Sequence, residues 1–276
     1  MGEHGRGRHI GCVGCGNMGG AILRGMQAAW DKLYQFYACN RSMERLAPLR
    51  DCGIQIAEDA PTLARQCDVI ILAVKPQQVG TVLEAMLPEL GADKIVVSVA
   101  AGLGLDWLRR GVQGRCPVVR CMPNTPALVG RGVFAFCCDD TLPPADKGKL
   151  LELFGALGHC LELPENRFAA FTALIGAGPA YVFAMMQGLV QAGVTLGFSQ
   201  REARQMVTAL FEGTAVMAAQ SPQHLLRLRD DVCSPAGVTI AGVNQLDRAG
   251  LVGLLVDAVL AADARGREME SQAPKD

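Results

Sequence analysis

The stretch that decides the fold is Ile-Gly-Cys-Val-Gly-Cys-Gly-Asn-Met-Gly, residues 10–19. Gly14, Gly16 and Gly19 have the spacing Gly-x-Gly-x-x-Gly, between an apolar run and an amphipathic one. In a strand-turn-helix setting, the first glycine permits a tight turn and the second lets a pyrophosphate approach the backbone. The third lets the helix pack closely on the strand. The spacing predicts a dinucleotide-binding turn, and a glycine-rich turn with a purely structural role is the alternative.

Short apolar runs alternate with helical patterns through residues 1–164. The predicted strands are 9–13, 33–39, 55–57, 68–74, 94–99, 117–120, 132–137 and 160–163, and the helical patterns are 18–30, 43–52, 77–90 and 144–157. Wholly apolar strands separated by helices are typical of a parallel sheet covered on both faces. Residues 1–164 are therefore predicted to form an α/β Rossmann-type domain with a doubly wound sheet that binds NAD(P).

Residues 165–276 show almost only helical periodicity. The predicted helices are 168–197, 199–220, 222–231, 236–248 and 251–269. Ser199, Ser221 and Ser234 stand at or just before the start of three of these patterns and are predicted N-caps. These helices are too apolar for a solvated appendage, so another surface must cover them. We predict an all-α dimerisation domain and a homodimer, with a larger oligomer as a further possibility.

Composition excludes several functional classes. Lys and Arg number 26 and Asp and Glu number 27, which gives no electrostatic signature for nucleic acid or a membrane surface. The longest apolar runs, such as 69–74, are strand-sized, and residues 1–9 lack the apolar core of a signal peptide. The 11 cysteines then indicate reduced thiols and a cytoplasmic protein. Cys12 and Cys15 have the spacing of a redox or zinc pair, but no second pair with suitable spacing follows.

The residues after the second predicted strand indicate which dinucleotide binds. An NAD site usually has a carboxylate there for the ribose hydroxyls, whereas a 2′-phosphate requires donors and positive charge. Asn40, Arg41 and Ser42 offer donors, and none of them is acidic. The sequence favours NADP(H), with NAD(H) as the alternative. Arg41 could also be only a solvated residue at a helix start.

Two further strand ends have small residues that leave room for a nicotinamide group. These are 73–76, where Lys75 is a candidate catalytic cation or simply part of a shaped turn, and 98–102. The predicted cofactor contacts are Gly14, Gly16, Asn17, Met18, Gly19, Asn40, Arg41, Ser42, Ala73, Val74, Lys75, Pro76, Ala100, Ala101, Gly102 and Asn124.

The strongest substrate signal is the stretch 228–242. Ser234, Pro235 and the small residues after them expose amide groups at a predicted helix start, which can receive a carboxylate, and Thr239 falls in the first turn. A plain loop-to-helix junction is the alternative. All four histidines stand outside the motifs. A ketone would require a positioned proton donor, whereas a protonated C=N bond accepts hydride directly, so an imine is mildly favoured.

This turn resembles the signature of the pyrroline-5-carboxylate reductases, Ser-Pro-Gly-Gly-x-Thr. Four more segments resemble that family in order along the chain, at residues 14–18, 74–76, 120–126 and 176–181. The resemblance implies NAD(P)H-dependent reduction of 1-pyrroline-5-carboxylate to L-proline in a dimer of intertwined helical domains. It implies that 165–276 also binds substrate, with Thr239 as the catalytic contact to the ring nitrogen. The implied substrate-binding residues are Asp231, Ser234, Ala236, Gly237, Val238 and Thr239.

Several residues depart from the family pattern. Ala236 replaces a usual glycine and is expected to have an ordinary backbone conformation, and Ala177 and Ile175 replace usual serines. Asp231 stands where asparagine is frequent, and its charge is unfavourable near a carboxylate. Two alternatives stay open: a β-hydroxyacid dehydrogenase, disfavoured because residues 165–271 contain no lysine, and a non-catalytic NADP-binding sensor.

Overall fold

The computed structural model describes residues 9–271, except the side chains of 269–271. Packing divides the chain into two compact units. The first runs to Gly176 and includes the segment from Asp263 onward, and the second is Ala177–Ala262.

The first unit is built on one eight-stranded sheet. Its strands are β1 His9–Val13, β2 Gln35–Cys39, β3 Gln55–Ile56, β4 Val69–Leu72, β5 Ile95–Ser98, β6 Val118–Met122, β7 Gly132–Cys138 and β8 Gly158–Glu162. Their order is β3-β2-β1-β4-β5-β6-β7-β8. Strands β1 to β6 are parallel, β7 is antiparallel to β6, and β8 is parallel to β7. Every predicted strand is confirmed, with ends that differ by at most two residues.

Helices cover both faces of this sheet. They are α1 Asn17–Trp30, α2 Ala47–Asp51, α3 Ala60–Gln66, α4 Pro76–Met86, α5 Leu105–Gly111, α6 Pro144–Gly155 and α7 Phe168–Phe171. Strand β4 shows why both faces need cover, because all four of its residues are buried. Val69 and Ile71 pack in the cluster that contains α1 and α6 side chains, while Ile70 and Leu72 pack in the cluster of α3, α4 and α5. This is the predicted doubly wound α/β architecture.

The predicted helix 168–197 is wrong as one continuous helix. It consists of α7, a π-helical turn at Thr172–Gly176, and α8, which begins at Gly178. Pro179 lies in the first turn of α8, where its missing N–H costs no helical hydrogen bond. The π-helical turn ends where the packing divides the chain into its two units.

The second unit contains helices α8 Gly178–Thr195, α9 Gln200–Gln220, α10 Leu225–Asp231 and α11 Val238–Arg248, and α12 Leu251–Ser271 starts in it. Ser199 caps α9 as predicted, because its hydroxyl accepts from the Glu202 amide at 3.3 Å. The Ser221 prediction is wrong, since α10 starts later and the His224 ring accepts from the Leu226 amide at 3.3 Å.

Large apolar side chains remain exposed on the helices of the second unit. Helices α8 and α9 bury only a small mutual contact, formed by Val190, Ala203 and Val207. The exposed residues include Phe183, Leu189, Val194, Leu196, Phe198, Leu210, Met217, Leu246, Val252, Leu254 and Leu260. Exposed apolar surface of this extent marks an interaction site.

The segment Glu165–Thr195 is apolar enough for a membrane span by length and composition alone. Its mean hydropathy is 1.6 over the most apolar window, of which 22% is buried within the chain. The uninterrupted apolar runs within this segment are still strand-sized, because small and polar residues separate them. A membrane span and a covered subunit interface both fit such a segment, so its composition does not decide between them.

Candidate active site

The glycine turn has the geometry that its spacing predicts. Gly14 has φ +94°, and its amide donates to the carbonyl of Cys39 at 2.9 Å. A Cβ on Gly14 would lie 2.6 Å from the Val74 nitrogen, and one on Gly19 would lie 2.6 Å from the Gly14 oxygen. Neither position accepts a side chain, because the neighbouring atoms belong to the backbone.

The turn opens helix α1 at the point where the strand order reverses. Gly16 precedes the first helical residue, Asn17, and no side chain caps the helix start. Strand β1 lies between β2 and β4, and the Ala73 amide donates to the Val13 carbonyl at 2.8 Å. Ligands of open α/β sheets bind in the crevice at such a reversal, and an uncapped helix start offers amides to a phosphate. The structure thus brings 14–19, 40–42 and 73–76 to one edge of the sheet.

The end of β2 presents donors and no carboxylate at the three predicted positions. The Asn40 amide donates to the Ser42 carbonyl at 3.1 Å, which closes a short turn. Arg41 is exposed, and Ser42 precedes a 3₁₀ helix at Met43–Arg45. This arrangement leaves the Arg41 guanidinium free to meet an anion from solvent.

A residue that sequence reasoning missed lies beside the glycine turn. The Nη1 atom of Arg45 lies 3.2 Å from the position that a Cβ on Gly16 would occupy. The sequence signal was an arginine four residues after Arg41, but the direction of the Arg45 side chain depends on the 3₁₀ helix Met43–Arg45, in which it is the last residue.

The ends of β4 and β5 form the predicted open turns. Lys75 is exposed and precedes α4, whose first residue is Pro76. After β5, the Ser98 hydroxyl accepts from the Ala100 amide at 3.3 Å, and Gly102 has φ +79°. A Cβ on Gly102 would meet nothing within 4 Å, so this glycine serves its backbone conformation and not a close contact.

Asn124 has a structural role that its predicted cofactor contact did not include. Its side chain is buried, and its oxygen accepts from the Val133 amide at 2.8 Å. Its nitrogen donates to the Ile175 carbonyl in the π-helical turn at 3.3 Å. The amide group therefore ties the end of β6 to β7 and to the π-helical turn.

A buried arginine joins the same region to the segment after β8. Arg120 on β6 forms an ion pair with Glu165 at 3.2 Å and lies 4.5 Å from the centre of the Phe168 ring. The same Glu165 oxygen accepts from the Leu105 amide at the start of α5, at 2.7 Å. Arg120 thus satisfies its buried charge with a carboxylate and an aromatic face.

The predicted substrate turn lies between α10 and α11, and it corrects two expectations. Ala236 has φ +56°, so the expected ordinary conformation is wrong. The family's usual glycine fits that left-handed region without strain, whereas alanine does not. Ser234 is not an N-cap either, because α11 starts at Val238 with Gly237 before it.

The amides of this turn are not equally free. The Gly237 amide donates to the Ser234 carbonyl at 3.0 Å, and the Ala241 amide donates to the Gly237 carbonyl at 3.4 Å. Val238 and Thr239 precede that first helical bond, so their amides have no acceptor within the helix. Thr239 is the second residue of α11 and is half-buried. An anion at this helix start would meet the amides of Val238 and Thr239.

The charge of Asp231 is compensated locally. Its carboxylate pairs with Arg227 one helical turn earlier, at 3.0 Å. Both side chains are partly exposed, so solvent screens the pair and its contribution to stability is small. The unfavourable charge that the sequence suggested near a carboxylate is therefore partly offset.

The Cys12 thiol on β1 and the Cys15 thiol within the glycine turn are both buried. The Cys15 thiol donates to the Cys12 carbonyl at 3.4 Å. A hydrogen bond with Cys15 and burial raise the pKa of the Cys12 thiol well above its usual range. Since the thiolate is the reactive form, the Cys12 thiol is poorly suited to redox chemistry at neutral pH.

Comparison with known proteins identifies the family. A family model described as pyrroline-5-carboxylate reductase dimerisation matches residues 165–269, and one described as NADP oxidoreductase coenzyme F420-dependent matches residues 9–102. The chain is 34% identical over 264 residues to the pyrroline-5-carboxylate reductase of Corynebacterium melassecola, which covers 94% of this chain and 98% of that protein. The chain belongs to the pyrroline-5-carboxylate reductase family.

Solved structures agree with this assignment. The Plasmodium falciparum pyrroline carboxylate reductase with NADP bound matches with a TM-score of 0.86 and 30% identity, covering 95% of this chain and 98% of that chain. The Coxiella burnetii pyrroline-5-carboxylate reductase matches with a TM-score of 0.89 and 30% identity, covering 96% and 99%. The fold class and the family resemblance predicted from the sequence are confirmed, and the β-hydroxyacid dehydrogenase alternative is removed.

Proposed function

We propose that this chain reduces the C=N bond of 1-pyrroline-5-carboxylate to give L-proline. The observation that carries the proposal is the match along 94% of the chain to a reductase of that name. The uncapped start of α11 at Val238, close to Thr239, suits an anionic imine substrate. A proton from solvent first converts the ring nitrogen to an iminium, hydride then adds to the ring carbon of the C=N bond, and the nitrogen keeps that proton as the N–H of the amine.

NADP(H) fits the residues of the first unit. The start of α1 has no side-chain cap, so its amides are available to a phosphate. Gly14, Gly16 and Gly19 keep the space beside these amides open, because a Cβ at any of the three would occupy it. The absence of a carboxylate at Asn40–Ser42 and the NADP-bound Plasmodium falciparum relative support NADP(H) over NAD(H). The cofactor would supply the hydride, and the protein positions the cofactor and offers positive charge to its phosphates.

We assign different roles in substrate binding to the backbone amides, the Thr239 hydroxyl and the small residues of the turn between α10 and α11. The amides of Val238 and Thr239 hold the substrate carboxylate at the positive end of α11. The Thr239 hydroxyl contacts the ring nitrogen and orients or protonates it. Ala236 and Gly237 shape the turn, the latter through its bond to the Ser234 carbonyl.

The exposed helices of the second unit support assembly. The dimerisation family model covers residues 165–269, which include most of the exposed large apolar side chains. We assign the exposed apolar side chains of this surface, including those of α8 Gly178–Thr195, to a homodimer interface and not to a membrane. In this proposal, 1–164 is the NAD(P)-binding domain and 165–276 the dimerisation and substrate-binding domain. The 11 cysteines, all free thiols, support a cytoplasmic location.

The test measures NADPH oxidation with 1-pyrroline-5-carboxylate, with pyruvate and a hydroxyacid plus NADP⁺ as controls. Turnover limited to the imine supports the proposal, whereas NADPH binding without turnover supports a sensor. Thr239→Val keeps the side-chain shape and removes the hydroxyl, so kcat should fall about tenfold to a hundredfold for one lost hydrogen bond. Wild-type kcat in this variant would remove the hydroxyl from the mechanism.

A further inference from the structure

Arg45 and the start of α1 bring positive charge to one point of the glycine turn. The guanidinium lies over Gly16, with Nη1 3.2 Å from the Cβ position of that residue. Gly16 immediately precedes α1, whose first amides carry no side-chain cap. A helix start has partial positive charge, so two independent sources of positive potential face the same space.

Arg45 has no carboxylate partner among residues 9–268, for which the structure describes side chains. Other arginines of the first unit are paired, Arg65 with Glu89 and Arg109 with Asp139. Arg45 is also exposed, and so its charge is available to a ligand that arrives from solvent.

The two arginines after β2 lie at different parts of a dinucleotide site. Arg41 is the second residue after β2, near the strand end that recognises the adenosine ribose and its 2′-substituent. Arg45 reaches back to Gly16, where the backbone approaches the pyrophosphate. NADPH and NADH share the pyrophosphate and differ only at the 2′-position.

We propose that Arg45 is a ligand of the dinucleotide pyrophosphate, and that it strengthens binding of NADPH and NADH equally while Arg41 sets the preference between them. The inference rests on the proposed function only in taking the glycine turn as the NADP(H) site. In this arrangement the pyrophosphate meets both the amides at the start of α1 and the Arg45 guanidinium beside Gly16. Arginine suits this position because its planar donors match phosphate oxygens.

The experiment measures dissociation constants of the full chain for NADPH, NADH and adenosine 5′-diphosphate, without substrate. The last probe has the pyrophosphate and lacks the 2′-phosphate. Arg45→Ala should weaken all three by a similar factor of about tenfold, as expected for one charge-assisted contact. Arg41→Ala should weaken NADPH alone, and Arg45→Lys should restore part of the binding of all three.

Arg50→Ala is the matched control, because Arg50 is an exposed arginine in the next helix, α2. Its three dissociation constants should equal those of the wild type. A loss confined to NADPH in Arg45→Ala would place Arg45 at the 2′-phosphate and overturn the inference, as would unchanged binding of all three probes. The thermal unfolding midpoint of each variant is measured as well, because a variant that loses only a ligand contact keeps the wild-type midpoint, whereas one that is misfolded does not. Absence of imine turnover in the wild type would overturn the proposed function and leave this binding pattern intact.

Discussion

Ala236 provides a direct test of whether the substrate turn carries strain. Its φ of +56° lies in the left-handed region, which costs an L-residue roughly 1–2 kcal/mol. Glycine avoids that cost but loses about 0.4–1 kcal/mol more conformational entropy on folding. The difference leaves a gain of about 0.5–1 kcal/mol for Ala236→Gly. At about 2–4 °C per kcal/mol for a chain of this size class, the thermal midpoint should rise by about 1–4 °C.

A matched control separates the backbone effect from the site. Gln113, with φ +51°, follows α5 in the first unit and lies outside the predicted site residues. Gln113→Gly should raise the thermal midpoint by a similar amount and leave the KM for the imine unchanged. Ala236→Gly keeps the amides of Val238 and Thr239 in place, so its KM should stay within about threefold of the wild type.

Calorimetry at fixed protein concentration, together with steady-state kinetics, measures both quantities. A lower midpoint in Ala236→Gly beside a higher one in Gln113→Gly would refute the strain argument. It would show that the methyl group of Ala236 makes a stabilising contact that outweighs the backbone cost.

Two further predictions concern the helical unit. Asp231→Asn removes the negative charge near the proposed carboxylate site and frees Arg227, so the KM for the imine should fall about twofold to fivefold. The thermal midpoint should change by less than about 2 °C, because the lost pair is exposed; a raised KM would contradict this charge argument. In sedimentation velocity at micromolar concentration, the protein should run as a dimer or larger, and a fragment that ends near Pro164 should be inactive. A fully active monomer would rule out the dimer proposal.

The Rossmann sheet could be predicted in detail because its signals are local. Buried parallel strands are continuous apolar runs, and Gly14 and Gly19 are required by backbone contacts within the same motif. Helices α3 and α5 were not predicted, since each has seven residues and too few turns to show a period. Short helices of this kind are defined by their caps, such as Asp59, whose carboxylate accepts from the Thr62 amide at 2.8 Å.

The candidate site was predictable in its residue types and less so in its conformations. The turn from Ser234 to Thr239 was found by its small residues, but the left-handed φ of Ala236 depends on how the chain leaves α10. Arg45 was missed for a similar reason, because only the 3₁₀ helix at Met43–Arg45 turns its guanidinium back to Gly16. Composition and spacing identify the residues that can donate hydrogen bonds, whereas the backbone conformation decides where their side chains and amides point.

The segment 120–126 shows how a family motif can mark structure as well as ligand contact. Arg120 forms an ion pair with Glu165 and lies over the Phe168 ring. Asn124 accepts from the Val133 amide and donates to the Ile175 carbonyl. Both side chains are buried, so loss of either would leave charged or polar partners unsatisfied inside the first unit. Asn124 also bonds the π-helical turn, where the wider helical geometry alters the regular pattern of backbone bonds. A functional defect after substitution of Asn124 would therefore have to be separated from a change in this turn before it is assigned to the cofactor.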